Sequence, residues 1–410
     1  MSQVSIPLWT ILRSREQYGC LDLPLLTVKS ESGVEVRDLS QGRQPSEDMS
    51  SYRVVQPGDL VVNRLWARFG AYGTSQHAGV ISPAYWVLDV ENSKVDSRYL
   101  HHLLRSEPYR QEIGRRSKNM PPNGFDLPWD QFKKLEVPLL QLDEQRRIAE
   151  FLDAEIARID RLIALQVTLR ARIDERDKAL RDNLVDELAK TVGEVPLRRF
   201  TTRIEQGASP QCEAIPRQGD NEWGVLKLSA VKGGHFVASE NKRLPEETGA
   251  ISAYQVRQGD LLVTRANTPS LVGDVAVVEG NHQKLLLPDL IYRVGLAPEM
   301  NADFVAQVAL SGRVRTLIES AARGSSQSMV KLRGEDIKTW PMPMATQKQQ
   351  ATLVQEIQSG VQGTGQLRTA VARQLSLLAE RRQSLITAAV TGQFDVSTAS
   401  GRNVTDGVTP

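Results

Sequence analysis

From Asp143 to Lys190 the chain carries neither glycine nor proline, and its apolar residues recur as Leu152, Ile156, Ile159, Ile163, Ile173, Leu180 and Leu184. Polar Gln166, Arg170 and Asp177 interrupt that stripe. Steps of three and four over so long a run predict an amphipathic helix of coiled-coil type, roughly 70 Å long at 1.5 Å per residue. A helix with one narrow apolar stripe needs a partner. A second stretch of the same kind runs from Thr346 to Thr391, with Leu353, Ile357, Leu367, Val371, Leu375, Leu378 and Leu385 on its stripe. Gly360, Gly363 and Gly365 fall inside it. Each costs about 0.5 to 1 kcal/mol relative to alanine in a helix, which predicts a kink or short break there.

Ahead of each helical stretch the pattern shortens. Val54-Val55, then Pro57-Gly58-Asp59, then Leu60-Val61-Val62 is strand, turn, strand, and Ser97 to Arg116 carries Tyr99, Leu100, Leu103 and Leu104 at helical spacing. This is an α+β domain, and its text is repeated. Val55-Gln56-Pro57-Gly58-Asp59-Leu60-Val61-Val62-Asn63-Arg64 returns as Val256-Arg257-Gln258-Gly259-Asp260-Leu261-Leu262-Val263-Thr264-Arg265. Leu135-Glu136-Val137-Pro138 returns as Trp340-Pro341-Met342-Pro343 at the close of each copy, and Ile6-Pro7-Leu8 returns as Val195-Pro196-Leu197 at the entrance. The repeat is too long for a solenoid unit, so the expected fold is two similar globular α+β domains in pseudo-twofold relation, separated by two long antiparallel helices forming a coiled coil. The expected bounds are 1–142 and 193–345 for the domains, 143–192 and 346–392 for the helices, and 393–410 for a disordered tail rich in Ser, Thr and Gly.

At 410 residues, 40% hydrophobic and 24% charged, the chain is long enough for two or three cores. Its 51 basic and 49 acidic residues leave a formal charge of +2, so a polyanion would have to be met by local patches. On the long helix, Arg158, Arg161, Arg172 and Arg176 stand among Asp153, Glu155, Asp160, Asp174 and Glu175 and form a solvated face around a seam. Cys20 and Cys212 have no histidine neighbours at ligand spacing, which argues against a disulfide framework or a structural zinc. No apolar run reaches membrane-spanning length and the first residues lack a signal-peptide pattern, so a cytoplasmic location without membrane contact is expected.

Catalytic motifs are missing. Phosphate-loop, dinucleotide, nucleophile-elbow and zinc-protease patterns do not occur. His77, His101, His102, His235 and His282 are scattered, with structural or surface roles expected. Glu335-Asp336-x-Lys338 resembles the end of a nuclease metal site, but the first copy has Asp130-Gln131-Phe132-Lys133 there and does not reproduce the acidic pair. A helix-start carboxylate is the simpler reading, and no metal site is expected.

The residue types that suit DNA lie in loops. The first copy has Asn63, Arg64 and Arg68 after a strand, and Arg115, Arg116, Lys118 and Asn119 after a helix. The second has Arg265 and Asn267, then Arg323, Ser325, Ser326 and Gln327, at corresponding places. Arginine can grip guanine bidentately, asparagine and glutamine can grip adenine, and lysine and serine suit phosphates. Trp66, Phe69 and Trp223 are expected to pack in loops or core rather than to stack on bases.

These residues resemble a known family, the specificity subunits of type I restriction-modification systems. The likeness rests on Leu135-Glu136-Val137-Pro138-Leu139 running through Glu144-Gln145-Arg146-Arg147-Ile148, similar to the family's Pro-Leu-Pro-x-x-x-Glu-Gln-x-x-Ile entry into a long helix. Gly207-Ala208-Ser209-Pro210, Gly259-Asp260-Leu261-Leu262 and Arg323-Gly324-Ser325-Ser326-Gln327 add to it. In the second copy Gln349 stands where the family has glutamate. The resemblance implies two target recognition domains, each reading half of a split DNA target, and helices that fix the gap and dock partners. The implied partners are double-stranded DNA, two copies of the methyltransferase subunit and the endonuclease/translocase subunits. S-adenosylmethionine, ATP and Mg would sit on those subunits, with no cofactor and no catalysis in this chain. The alternative is a non-enzymatic coiled-coil scaffold carrying two protein-binding domains.

Overall fold

The computed structural model describes residues 5–19, 22–40, 49–120, 124–322 and 330–396. It divides into two compact units, Met1–Val167 with Ala372–Pro410, and Thr168–Val371. Each mixes helix and strand, and each takes in one half of both long helices, Leu142–Val192 and Gln347–Val390.

The first unit is closed by its ends. Ser5–Pro7 pairs antiparallel with Glu136–Pro138, so the chain's entrance and the segment before the long helix form one ribbon. Inside lies a four-stranded sheet in the order Leu12–Ser14, Tyr85–Val90, Leu60–Asn63, Tyr72–Thr74. The expected helix from Ser97 to Arg116 is two helices, Ser97–Arg105 and Glu107–Arg116. Extended backbone at Ser106 divides them, and Pro108, which could not donate within a continuous helix, sits harmlessly in the second one's first turn. The second unit repeats this plan. Glu194–Pro196 pairs with Pro341–Pro343, and its sheet runs Thr201–Gln206, Ile291–Leu296, Leu261–Thr264, Val275–Val277. Helices Ala302–Ala309 and Gly312–Ala322 follow.

The repeated Gly-Asp text makes a turn rather than a site. Asp59 is buried, accepts the Gln56 N–H at 2.8 Å and is gripped by Arg15 at 2.6 and 2.8 Å. Asp260 accepts the Arg257 N–H at 2.9 Å and meets Arg293 at 3.3 Å. In both copies the carboxylate closes a turn that Gly58 and Gly259 enter at φ 94° and 86°, backbone that favours glycine.

Each unit's core continues into the helices. In the first, Tyr99, Leu103 and Phe132 share a cluster with Leu152, Ile156, Ile159 and Leu385; in the second, Phe304, Val308 and Trp340 join Val185, Leu353 and Ile357. Within the second unit Asp174 meets Arg368, Asp177 meets Thr364, and Gly360 lies against Leu180, so the two helix segments run antiparallel there. Ile163, Leu180, Leu184, Leu375 and Leu378 are half-buried, while Ile173 and Val371 are buried.

Three expectations are corrected. Leu367 is 52% exposed, and buried Thr364 holds the seam position instead. The steps 357, 361, 364, 368, 371 alternate four and three, so a leucine at 367 falls one place off the stripe. The second helix does not break at its glycines but stays helical from Gln347 to Val390. At Gly360 a Cβ would overlap Leu180, so the missing side chain lets two helix segments approach, which offsets its helical cost. The tail does not begin at 393, because Phe394 stacks on Phe151 at 5.6 Å between centroids and Val396 packs on the same core. Residues 397–410 lie outside the described residues.

Candidate nucleic-acid interface

In the first unit the turn after strand Leu60–Asn63 is a hydrogen-bonded platform. Trp66 N–H donates to Asn63 O at 3.0 Å, Phe69 N–H donates to Trp66 O at 2.9 Å, and Gly70 closes the 3-10 turn Ala67–Phe69 at φ 88°. Ala67 is buried and anchors the turn, while Trp66 and Phe69 are left 57% and 44% exposed. Of the expected packing in loops or core, these two rings show the loop packing alone: they stay out of the core and lie 5.4 Å from one another, with Phe69 against Phe125 at 6.0 Å. Trp223 does pack, half-buried with Val225, Leu244 and Leu286.

A short ribbon joins the two clusters of the first unit. Lys118 pairs opposite Asp126 and Asn119 opposite Phe125. Asp126 accepts from Arg64 Nε at 2.8 Å, and the Arg68 guanidinium lies 4.4 Å over the Phe125 ring. Phe125 is edge-on to Phe69 at 6.0 Å, and Leu127 N–H donates to Arg64 O at 3.0 Å. Two stretches of sequence thus make one surface, through Phe125 and Asp126, which sequence reasoning missed. Their signal was position, since the residues right after them, from Leu127 on, answer those from Leu332 on in the second copy.

The other candidates divide by their partners. Asn63 donates to Tyr85 Oη at 3.2 Å, and Arg116 is held by Glu112 at 2.8 Å and by Gln131 O at 2.8 Å. Arg115 also reaches Glu112 but stays exposed, as do Arg68, Lys118 and Asn119. Exposed pairs of this kind are worth little and can be exchanged for phosphate contacts.

The second unit builds the corresponding place with the same backbone tie, Leu332 N–H to Arg265 O at 2.7 Å. Ala266–Asn267 pairs with Val330–Lys331. The half-buried Arg265 donates to Asp289 O at 3.4 Å and lies 5.9 Å over the Tyr292 ring, while Asn267 Oδ1 accepts the Thr268 N–H. Arg323, Ser325, Ser326 and Gln327 lie outside the described residues.

Elsewhere the chemistry is structural. Asp336 accepts the Arg333 N–H at 2.9 Å and so starts a helix, and Glu335 pairs with Lys338 at the surface. His102 meets Asp153 at 2.8 Å, and His101 Nδ1 accepts the Thr74 N–H at 3.2 Å. Among the described residues no group of three or more His, Cys, Asp or Glu is placed to hold a metal, and no helix is long and apolar enough to cross a membrane.

No protein-family model matches the chain. Over 167 residues it is 28% identical to the EcoEI specificity subunit of Escherichia coli, a match spanning 40% of this chain and 28% of that one. It is 22% identical over 380 residues to the EcoKI specificity subunit of Escherichia coli strain K12, covering 85% of this chain and 78% of its relative. The relatives of this chain are type I restriction specificity subunits. A solved structure bearing on complex assembly and conformational transition of the type I R-M system shares its fold, with a TM-score of 0.59 at 16% identity over 96% of this chain and 99% of that one. The similarity to the EcoKI specificity subunit is long enough to take in residues of both units.

Proposed function

We propose that this chain is the DNA-specificity subunit of a type I restriction-modification complex. Each globular domain is a target recognition domain reading one half of a bipartite target. The observation that carries this reading is the surface at Arg64 and Arg265. Both units hold that arginine's carbonyl in the same way and surround it with different side chains, as two readers of two different half-sites require. The long helices would fix the separation of the half-sites, as dimer geometry does for a repressor, and offer docking surfaces to two methyltransferase subunits and to the endonuclease/translocase subunits. Methyl transfer and cleavage, with S-adenosylmethionine, ATP and Mg, would belong to those partners.

Because the two surfaces differ, the target should be asymmetric, with two unlike half-sites around an unread gap. Base-resolution mapping of methylated adenines in a host with and without the gene tests this. One motif of two unlike halves that disappears with the gene is expected. A continuous or palindromic motif, or no change, would refute it.

A further inference from the structure

The first unit exposes rings where the second does not. Arg64-Leu65-Trp66-Ala67-Arg68-Phe69 stands where the second unit has Arg265-Ala266-Asn267-Thr268-Pro269-Ser270. Leu65, Trp66 and Phe69 form one apolar step on a turn already fixed by backbone bonds, with Trp66 and Phe69 rings 5.4 Å apart. Leaving large rings in water is unfavourable, and a contiguous apolar patch of this kind marks a contact surface. Arg64, Arg68 and Lys118 are exposed around it, with Asp126 held by Arg64, the Phe125 ring under Arg68 and Lys118 on the same ribbon. Exposed pairs of this kind exchange readily for phosphate, so an occupant apolar at its centre and anionic around it fits. Stacked bases flanked by phosphates have that pattern. Little conformational freedom remains to be lost on contact, because Gly70 and Ala67 pin the turn and a tryptophan has only two side-chain torsions.

Resting on the DNA-specificity reading above, we propose that Trp66 and Phe69 press their rings against a base step of the half-site read by the first unit. The first half-site is then recognised in part by how easily that step unstacks, which favours a pyrimidine–purine step, a device the second unit lacks at 266–270.

The test uses the full chain assembled with its methyltransferase partner and a pool of duplexes with a randomised core, selected and sequenced. The wild-type complex should return two half-sites, one of them containing a pyrimidine–purine step. The Trp66→Ala/Phe69→Ala variant should keep the other half-site, lose preference at that step, and bind the wild-type motif about tenfold to a hundredfold more weakly, the scale of base–aromatic stacking. Trp66→Tyr/Phe69→Tyr, which keeps the rings, should restore the preference. In the wild-type complex 2-aminopurine placed at the step should brighten, and in the alanine variant it should not. An unchanged motif and affinity overturns the proposal. So does a uniform loss of affinity with the motif intact, which would mark a phosphate or protein contact, and so does equal loss at both half-sites, which would mark damage to the fold. A wild-type complex that selects no motif overturns the DNA reading itself.

Discussion

In the first unit Arg382 meets Asp160 at 3.2 Å beside a seam of Ile156, Ile159 and Leu385, so its charge pair flanks apolar packing. In the second unit the corresponding stretch buries charge in the seam. Asp177 there accepts from Thr364 Oγ at 2.8 Å and forms an ion pair with Arg368 at 2.8 Å; at the places of Thr364 and Arg368 the repeat has Ile159 and Ile163 in the first copy. Apolar packing contributes more stability per position, whereas a buried polar partner penalises every other register by leaving a charge unmatched. The same duplicated helix thus holds one unit mainly by area and the other partly by pairing.

What the units share should show the largest effects. Gln145 is buried, donates to Lys94 O and Leu140 O at 3.1 and 2.9 Å, and accepts the Asp96 N–H at 2.9 Å. Gln350 does the same with Glu299 O, Ala345 O and the Asn301 N–H, at 3.1, 2.9 and 2.9 Å. One amide therefore ties the start of a long helix to the cap of the first short helix, Asp96 in one copy and Asn301 in the other. Gln145→Ala or Gln350→Ala would strand three backbone groups and should cost about 3 kcal/mol in the unit that carries it. Hydrogen exchange followed by mass spectrometry should place the loss in that unit. Equal loss in both would break the view that each copy secures its own helix.

These two glutamines also show what could be seen in the sequence and what could not. The Glu-Gln text was visible as an entry motif, and Gln349 in the second copy departs from it. The anchoring group is the next residue, Gln350, which is unchanged, and Gln349 merely caps Thr346 at 2.9 Å. Periodicity located the helices because burial of one face repeats along the chain. It misplaced Leu367 because the stripe there is held by Thr364 and Arg368, polar residues whose burial depends on partners in the other helix. The glycine at 360 misled for the same reason, since its benefit lies in Leu180 across the seam. The candidate interface was harder still. Composition suggested the arginines, but only the ribbon pairing brings Phe125 and Asp126 under them, and the exposure of Trp66 follows from a turn that has room to bury Ala67 alone.

The second effect in size should separate the two seams. Asp177→Ala removes the buried carboxylate that Thr364 and Arg368 share inside the seam, leaving Arg368 only Asp174 and Thr364 only Val361 O, and should cost about 2 kcal/mol in the second unit. Asp160→Ala removes an exposed partner and should cost under about 1 kcal/mol in the first. Denaturant midpoints of the two variants against the wild type give the comparison directly. Similar losses would mean that Asp177 is no more than a surface charge.

The smallest contrast is one of pH. His101 packs against Gly33 and Gly73 and accepts the Thr74 N–H on Nδ1, so a second ring proton would face a donor already in place. Desolvation first, then His102, Arg105 and Arg382, holds its pKa well below the usual histidine value. The folded unit therefore binds fewer protons than the unfolded chain at acid pH. Above about pH 6.5 the imidazole is neutral in both states and contributes no pH dependence. Below that, the unfolded chain is protonated first, so stability is lost as pH falls, by up to about 1.4 kcal/mol per pH unit until the depressed folded value is reached. The second copy has Ala306 at the corresponding position and no such group. Between pH 7 and pH 5.5 the first unit should lose about 1 kcal/mol more than the second, measured by hydrogen exchange corrected for intrinsic rates. His101→Ala should lower the stability plateau of the first unit while removing that extra slope, and a slope that survives the substitution would assign the difference to other groups.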